Sequence, residues 1–387
     1  MTSKVKVNGA IIRWARNSLN LSVDDVAHKL RQPPDRVQQW EEGTVHPTYA
    51  QLERLAYEVL KRPLAVFFFP EPPAEKGVET EFRTLPDSLF DEISAPVRKV
   101  IRKAQAWQLS LREMTSGQPI TAEPIWRRVA ASVGDSPTRF AETIRSHLGV
   151  SMEEQKSWRE HGRALEQWRS ACEQSGVAVF KAPFFDEGVS GFCLFDDATP
   201  LICINNSTAK ARQIFTLVHE LTHILLGVGD IEQEDRNLRA WTPPNRRLEQ
   251  FCNVVTAEVL VPSDVIGPLL EAEEPTEVRI AELSELFSVS REVILRAAKE
   301  RGLATEDGYD SLAKRWNEEA RASRRKGTSG GDYYANQATY LSRAFGELVF
   351  SRLYRNEIDQ DTAADYLQIR PSQVGTLESM LLKGAGR

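Results

Sequence analysis

The stretch His219-Glu220-Leu221-Thr222-His223 limits this chain more than any other part of it. Two imidazoles four residues apart share one face of an α-helix and can grip one metal ion, and the glutamate between them lies beside the water that such an ion carries. Gln213-Ile214-Phe215-Thr216-Leu217-Val218 leads into the motif and Ile224-Leu225-Leu226 leads out, so the predicted helix is apolar around its circumference and buried, with Gly227 as its stop. Upstream, Val177-Ala178-Val179-Phe180, Ser190-Gly191-Phe192-Cys193-Leu194-Phe195 and Leu201-Ile202-Cys203-Ile204 read as three short strands, separated by the turn-rich segments Pro183 to Gly188 and Asp196 to Pro200. A small sheet against a metal-binding helix is the layout of a zinc peptidase. The chain has six histidines in 387 residues, which makes a chance match on the order of one in a hundred.

A catalytic zinc ordinarily takes three protein ligands and leaves a fourth position to water, so a third ligand is expected further on. Leu248 to Val261, closed by Pro262, reads as a second helix with two carboxylates, Glu249 and Glu258. Nine positions at about 100° each put them on opposite faces, so one of them at most faces the metal. Asn253 follows Glu249 by one turn on the same face and is placed to hold a zinc-bound histidine from behind, which favours Glu249 as the ligand. Glu258 reads as a solvated or locally paired carboxylate and Cys252 as a small buried hydrophobe.

Phe215 to Gly227, followed by Glu249-Gln250-Phe251-Cys252-Asn253 and Leu260-Val261-Pro262, resembles the ImmA/IrrE metallopeptidases, and the likeness reaches back through Ile204-Asn205 and Gly191-Phe192. It covers roughly Val177 to Pro262. The resemblance implies a zincin-like domain in which His219, His223 and Glu249 bind Zn2+ and Glu220 is the general base for hydrolysis of a peptide bond. Cys252, where the family usually has alanine, and Val254-Val255-Thr256 depart from its pattern at packing positions. Spacing identifies no donor for the oxyanion.

The amino-terminal end carries a second pattern. Asn8 to Leu19 is amphipathic; Ser22 caps the helix Val23 to Leu30, with Asp25 at the reciprocal position; Pro34 opens a helix that ends at Gly43; another begins near Thr48. Ala27, Leu30, Val37 and Trp40 pack the short-turn pair. Over about Val7 to Phe69 this resembles the XRE-type, Cro-like helix-turn-helix, and its fusion to such a peptidase is a recurrent architecture. A recognition helix in the major groove turns Gln32, Arg36, Gln38 and Gln39 to base edges or phosphates, with Arg31 as a further phosphate contact. Residues 1–74 hold ten Lys and Arg against eight Asp and Glu, a weak balance for nucleic-acid binding, and Asp35 and Glu41 flank the recognition surface. A fold kept for protein contacts or dimerisation is the competing reading.

The predicted fold class is α+β and predominantly helical. An all-α helix-turn-helix domain spans 1–75, a helical linker 76–160, a zincin-like peptidase domain with a small β-sheet 161–275, a helical extension 276–326 and a helical C-terminal unit 327–387. Pro70-Glu71-Pro72-Pro73 reads as a hinge, and Phe82-Arg83-Thr84-Leu85-Pro86 resembles an element that often follows it. Arg321, Arg324, Arg325 and Lys326 run into a Gly/Ser-rich linker and suit a helix C-terminus. Two later helix pairs, at Ile280 to Gly302 and Thr362 to Val374, echo the first short-turn pair, a cadence that any tight helical hairpin produces.

A net charge of −6 excludes a generally basic coat, and no apolar run reaches membrane-spanning length or forms a secretion signal. Cys172, Cys193, Cys203 and Cys252 lie in apolar settings without paired spacing and read as reduced thiols, which fits a cytoplasmic protein. Two functions compete. One is an endopeptidase that cuts a regulatory protein, such as a helix-turn-helix repressor, with the amino-terminal domain bringing it to DNA; the helix-turn-helix form admits a homodimer. The other is a transcription regulator or antitoxin-like protein with a structural or sensory metal. A structural site has no need of Glu220 and is closed by a fourth protein ligand, which favours the first.

Overall fold

The computed structural model describes residues 4–73, 82, 93–233, 242–326 and 338–383. Arg83 to Pro86 and the linker from Gly327 to Gly331 lie outside them, as do the side chains of Arg321, Arg324, Arg325 and Lys326. The chain divides into two compact units, Met1–Lys103 and Ala104–Arg387.

The first unit is helical. Helix α1 (Gly9–Asn17), α2 (Val23–Leu30), α3 (Pro34–Glu42) and α4 (Tyr49–Arg54, continued by a π-helical turn Leu55–Leu60) enclose Ile11, Ile12, Ala27, Leu30, Val37, Trp40, Leu52 and Leu55. The Ser22–Asp25 capping box forms, and α2 ends at Arg31 in a left-handed conformation (φ 55°) before Pro33 and Pro34 start α3. Glu41 corrects the sequence reading: it does not flank the recognition surface. It shares the inner side of α3 with Val37 and Trp40 and is buried, accepting from Arg16 Nε at 2.6 Å and Nη2 at 3.0 Å and from Arg13 Nε at 3.4 Å. Gly9 lets α1 approach that closely, because a Cβ there would stand 2.5 Å from the Glu41 carbonyl.

The second unit is built on a four-stranded sheet of order β1-β3-β2-β4. Strands β1 (Ala178–Ala182), β2 (Val189–Leu194) and β3 (Leu201–Asn205) are buried along their whole length and fall where the apolar runs predict. β1 pairs parallel with β3, and β2 pairs antiparallel with both β3 and β4 (Asp230–Gln233). Burial on both faces explains the uninterrupted apolar runs. Helix α5 (Ala95–Met114) contains the division between the units, and α6 (Ile125–Arg128), α7 (Pro137–Leu148), α8 (Met152–Trp158) and α9 (His161–Gln174) precede the sheet.

Helix α10 (Lys210–Leu225) lies against β2 and is also packed by α9 and by α11 (Pro243–Leu260). That is why it is apolar on all sides: every residue from Thr216 to Leu225 is buried. Helix α7 in turn covers α11, stacking Phe140 on Phe251 at 6.0 Å between ring centroids. Arg145 of α7 donates to the Val259 carbonyl at 2.6 Å and to Gln155 at 2.7 Å, and Gln155 donates to the Leu260 carbonyl at 2.8 Å. These bonds satisfy carbonyls that the end of α11 leaves without helical partners.

Beyond α12 (Ser263–Glu271) come the pairs α13 (Glu277–Phe287) with α14 (Arg291–Glu300) and, after α15 (Glu306–Lys326) and α16 (Arg343–Tyr354), α17 (Gln360–Leu367) with α18 (Val374–Lys383). Ser288 and Gln368 (φ 55° each) repeat the left-handed cap of Arg31, so the echo seen in sequence is one turn geometry used at each helix pair. In the second pair, α15 covers α14 through Arg291 stacked on Trp316 and Arg296 bonded to Tyr309. The C-terminal helices pack on this unit. Arg169 donates to the carbonyls of Thr339 and Leu341, Glu173 accepts from the Arg343 N–H at 3.1 Å, and Phe345 meets Phe180 of β1 edge-on at 5.4 Å.

Candidate metal centre

Helix α10 presents His219 and His223 on one face, with ring centroids 4.8 Å apart and their Nε2 atoms 3.1 Å apart. Helix α11 crosses it and brings Glu249, whose Oε1 lies 3.3 Å from His223 Nε2 and whose Oε2 lies 3.5 Å from His219 Nε2. The three side chains are buried, and their candidate ligand atoms all fall within 4.8 Å of one another. Among the described residues no other His, Cys, Asp and Glu group of this kind occurs.

The donor set suits a cation. Two imidazole nitrogens and a carboxylate turned to one buried point bring lone pairs together at a cost that a positive charge relieves. A tetrahedral ion about 2.0–2.1 Å from its ligands sets neighbouring ligand atoms roughly 3.3 Å apart, which is the spacing found. Nitrogen and carboxylate ligands together match zinc's usual choice.

Two features of the sheet set the height of α10. Gly191 of β2 lies under Thr216, one turn before His219, and a Cβ there would stand 2.4 Å from Thr216 Cγ2 and 3.0 Å from the Cys203 carbonyl oxygen. At the start of the helix, the Gln213 amide donates to the carbonyls of Thr208 at 2.7 Å and Asn206 at 3.3 Å, and Arg212 donates to buried Ser190 at 3.0 Å. Asn205 holds the β1–β2 loop by donating to the carbonyls of Val189 and Asp186. Gly191 appears in the sequence only as part of the family-like pattern; its reason, close approach of helix to strand, needs the paired elements.

The other sequence candidates take definite places. Glu220 is fully buried between the two histidines on α10. Asn253 is half-buried one turn after Glu249, and among the described residues its amide makes no hydrogen bond to either histidine; His219 Nδ1 likewise has no partner there. Glu258 is locally paired, accepting from Ser263 N–H at 3.1 Å and from its hydroxyl. Cys252 is buried and outside the cluster. In the first unit Arg31, Arg36 and Gln38 are exposed and Gln32 and Gln39 half-buried, on the outer side of the α2–α3 pair. Gln32 accepts from Gln51 at 3.4 Å, and Gln38 donates to Glu42 at 2.9 Å.

A buried His/His/carboxylate centre on crossed helices beside a small sheet is a metallopeptidase type of site. Residues 172–299 match the IrrE N-terminal-like domain, and residues 12–63 match a helix-turn-helix domain, so the chain joins an IrrE-like peptidase domain to an amino-terminal helix-turn-helix. It is similar to the radiation response metalloprotease IrrE of Deinococcus radiodurans, 36% identical over 107 residues, which is 27% of this chain and 33% of that protein. The protein of the same name from Deinococcus deserti is 34% identical over 108 residues, 28% of this chain and 38% of its own length. The chain therefore spans about a third of the curated relatives it matches. No single described helix is long and apolar enough to cross a membrane.

Proposed function

We propose that this protein is a zinc-dependent endopeptidase that cuts a regulatory protein, such as a helix-turn-helix repressor, and that its first unit brings it to DNA. The observation that carries the reading is the convergence of His219, His223 and Glu249 with Glu220 buried on the helix turn between the two histidines. His219, His223 and Glu249 hold the ion, and Asn253 is the candidate to orient a ligand histidine from behind. Zinc supplies Lewis acidity at the scissile carbonyl and lowers the pKa of water. Glu220 takes the proton of the attacking water and returns it to the leaving amine nitrogen. The buried setting keeps bulk water from the carboxylate and strengthens its interaction with the reacting atoms. Arg31 and Gln32 in the turn between α2 and α3, and Arg36, Gln38 and Gln39 on α3, are the candidate DNA contacts.

The test compares the native chain with Glu220→Gln for bound zinc and for cleavage of the repressor-like protein encoded nearest its gene. Both proteins should hold about one zinc, and cleavage should fall by about 10²–10⁴ in the variant. Bound zinc with no cleavage by the native chain in any stress condition would instead support a regulator with a sensory metal.

A further inference from the structure

A peptide needs a way to the cluster of His219, His223 and Glu249, and α10 and the strand beneath it are closed: Thr216 to Leu225 and every residue of β2 are buried. Helix α11 is open on one side. Successive residues turn by about 100°, so Leu248, Cys252, Val255, Thr256 and Val259 form one continuous buried side with buried Glu249 at its margin. Asn253 stands next, about 40° round the helix from Glu249, and is half-buried; Ala257 follows at about 80°, half-buried, and Gln250 at about 100°, exposed. Asn253 is thus the first side chain of α11 between the Glu249 carboxylate and solvent. Its amide makes no hydrogen bond among the described residues. An amide that orients a histidine holds one of the ring nitrogens, whereas His219 Nδ1 is buried without a partner.

We propose that Asn253 is a catalytic residue on the substrate side of the centre, whose amide N–H donates to the oxygen of the scissile carbonyl as negative charge develops there. When the water oxygen bonds to the carbonyl carbon, an electron pair moves onto that oxygen and Glu220 takes the water's proton; when the carbon–nitrogen bond breaks, the pair returns and the leaving nitrogen takes the proton. The amide changes no bond of its own in either step. Its contribution is a dipole already in place, with two N–H groups to spare, in a setting where half-burial strengthens the interaction. It supplies the oxyanion donor that residue spacing does not reveal. The inference rests on the endopeptidase reading and assigns Asn253 to the substrate in place of a ligand histidine.

The experiment takes the full chain, Asn253→Ala and Asn253→Leu through three measurements: zinc affinity by chelator competition, the urea midpoint, and steady-state cleavage of the repressor-like protein encoded nearest the gene. Leu fills nearly the same space as Asn without a donor, so it separates loss of the hydrogen bond from loss of packing. Both variants should keep the native zinc affinity and midpoint, while kcat falls by about 10²–10³ and KM stays unchanged, because the bond is made only in the transition state. A fall in zinc affinity of about 10–100-fold that tracks the loss of cleavage would return Asn253 to a histidine and overturn the proposal. Native-rate cleavage by both variants would overturn it and leave the endopeptidase reading standing. Bound zinc with no cleavage by the native chain would overturn both.

Discussion

Two buried glutamates of the second unit, Glu173 on α9 and Glu249 on α11, are treated in opposite ways. Glu173 is surrounded by donors. Burial holds its carboxyl above the usual range although Arg169, the hydroxyl of Ser342 and the N–H groups of Ala344 and Arg343 pull it down, and by accepting from the Arg343 N–H it ties the start of α16 to α9. Glu249 is turned to two imidazole nitrogens. Glu173 is answered by hydrogens that the chain itself provides, whereas Glu249 shares one buried point with two imidazole nitrogens that can join it around a cation. Burial alone, at 9% and 1% exposure, does not tell them apart, whereas the nature of the neighbours does.

The largest contrast should come from Glu249→Gln, which keeps shape and removes charge. Metal affinity should fall by more than about 100-fold in a chelator competition, while the metal-free protein unfolds at an unchanged urea midpoint. Glu173→Ala should do the reverse: stability falls by about 3 kcal/mol in urea titration, since Arg169 loses its buried partner, and zinc stoichiometry stays the same. If Glu173→Ala stripped the metal, the division between the two carboxylates would collapse.

Gly191→Ala should cost about 2 kcal/mol and weaken metal binding, because the added methyl lifts α10 from β2; Thr216→Ser, which removes the opposing methyl, should recover most of both losses. The smallest effect concerns the basic side of the Glu173 cluster. Burial and the neighbouring Arg169 push Lys181 down to about 8 despite its pairing with Glu166. The unfolded chain keeps that proton to higher pH, so unfolding takes up a proton between pH 8 and the ordinary lysine range, and this group's contribution to stability should rise with pH there. The stability difference between native protein and Lys181→Met, followed across pH 7 to 11 by about one-unit steps, should show that rise.

Much of the candidate metal cluster was legible because its information is local. His219 and His223 lie one helical turn apart, and Glu249 falls on a helical run closed by Pro262, so period and punctuation put all three on helices, while the choice of Glu249 over Glu258 drew on Asn253. Strand β4 was not legible: Asp230-Ile231-Glu232-Gln233 has one apolar residue and becomes a strand only through β2, about forty residues earlier in the chain. Glu41 misled for a related reason. Its charge suggested the surface, yet Arg13 and Arg16 approach from another helix and make burial tolerable. The Arg145–Gln155 pair is likewise invisible in sequence, since its partners are backbone carbonyls that carry no residue signature.

The covering of α11 by α7 bears on how the peptidase portion can be handled in isolation. Residues 172–299 contain both helices of the candidate metal centre but not α7, whose Phe140, Ala141, Ile144 and Leu148 close the far side of the helix bearing Glu249. A fragment trimmed to that homologous stretch would emerge from the ribosome with Phe251, Val255 and Val259 facing solvent and would be expected to self-associate through them. Solubility of the isolated IrrE-like portion therefore depends on about thirty-five residues that similarity leaves out, those from Pro137 to Ala171.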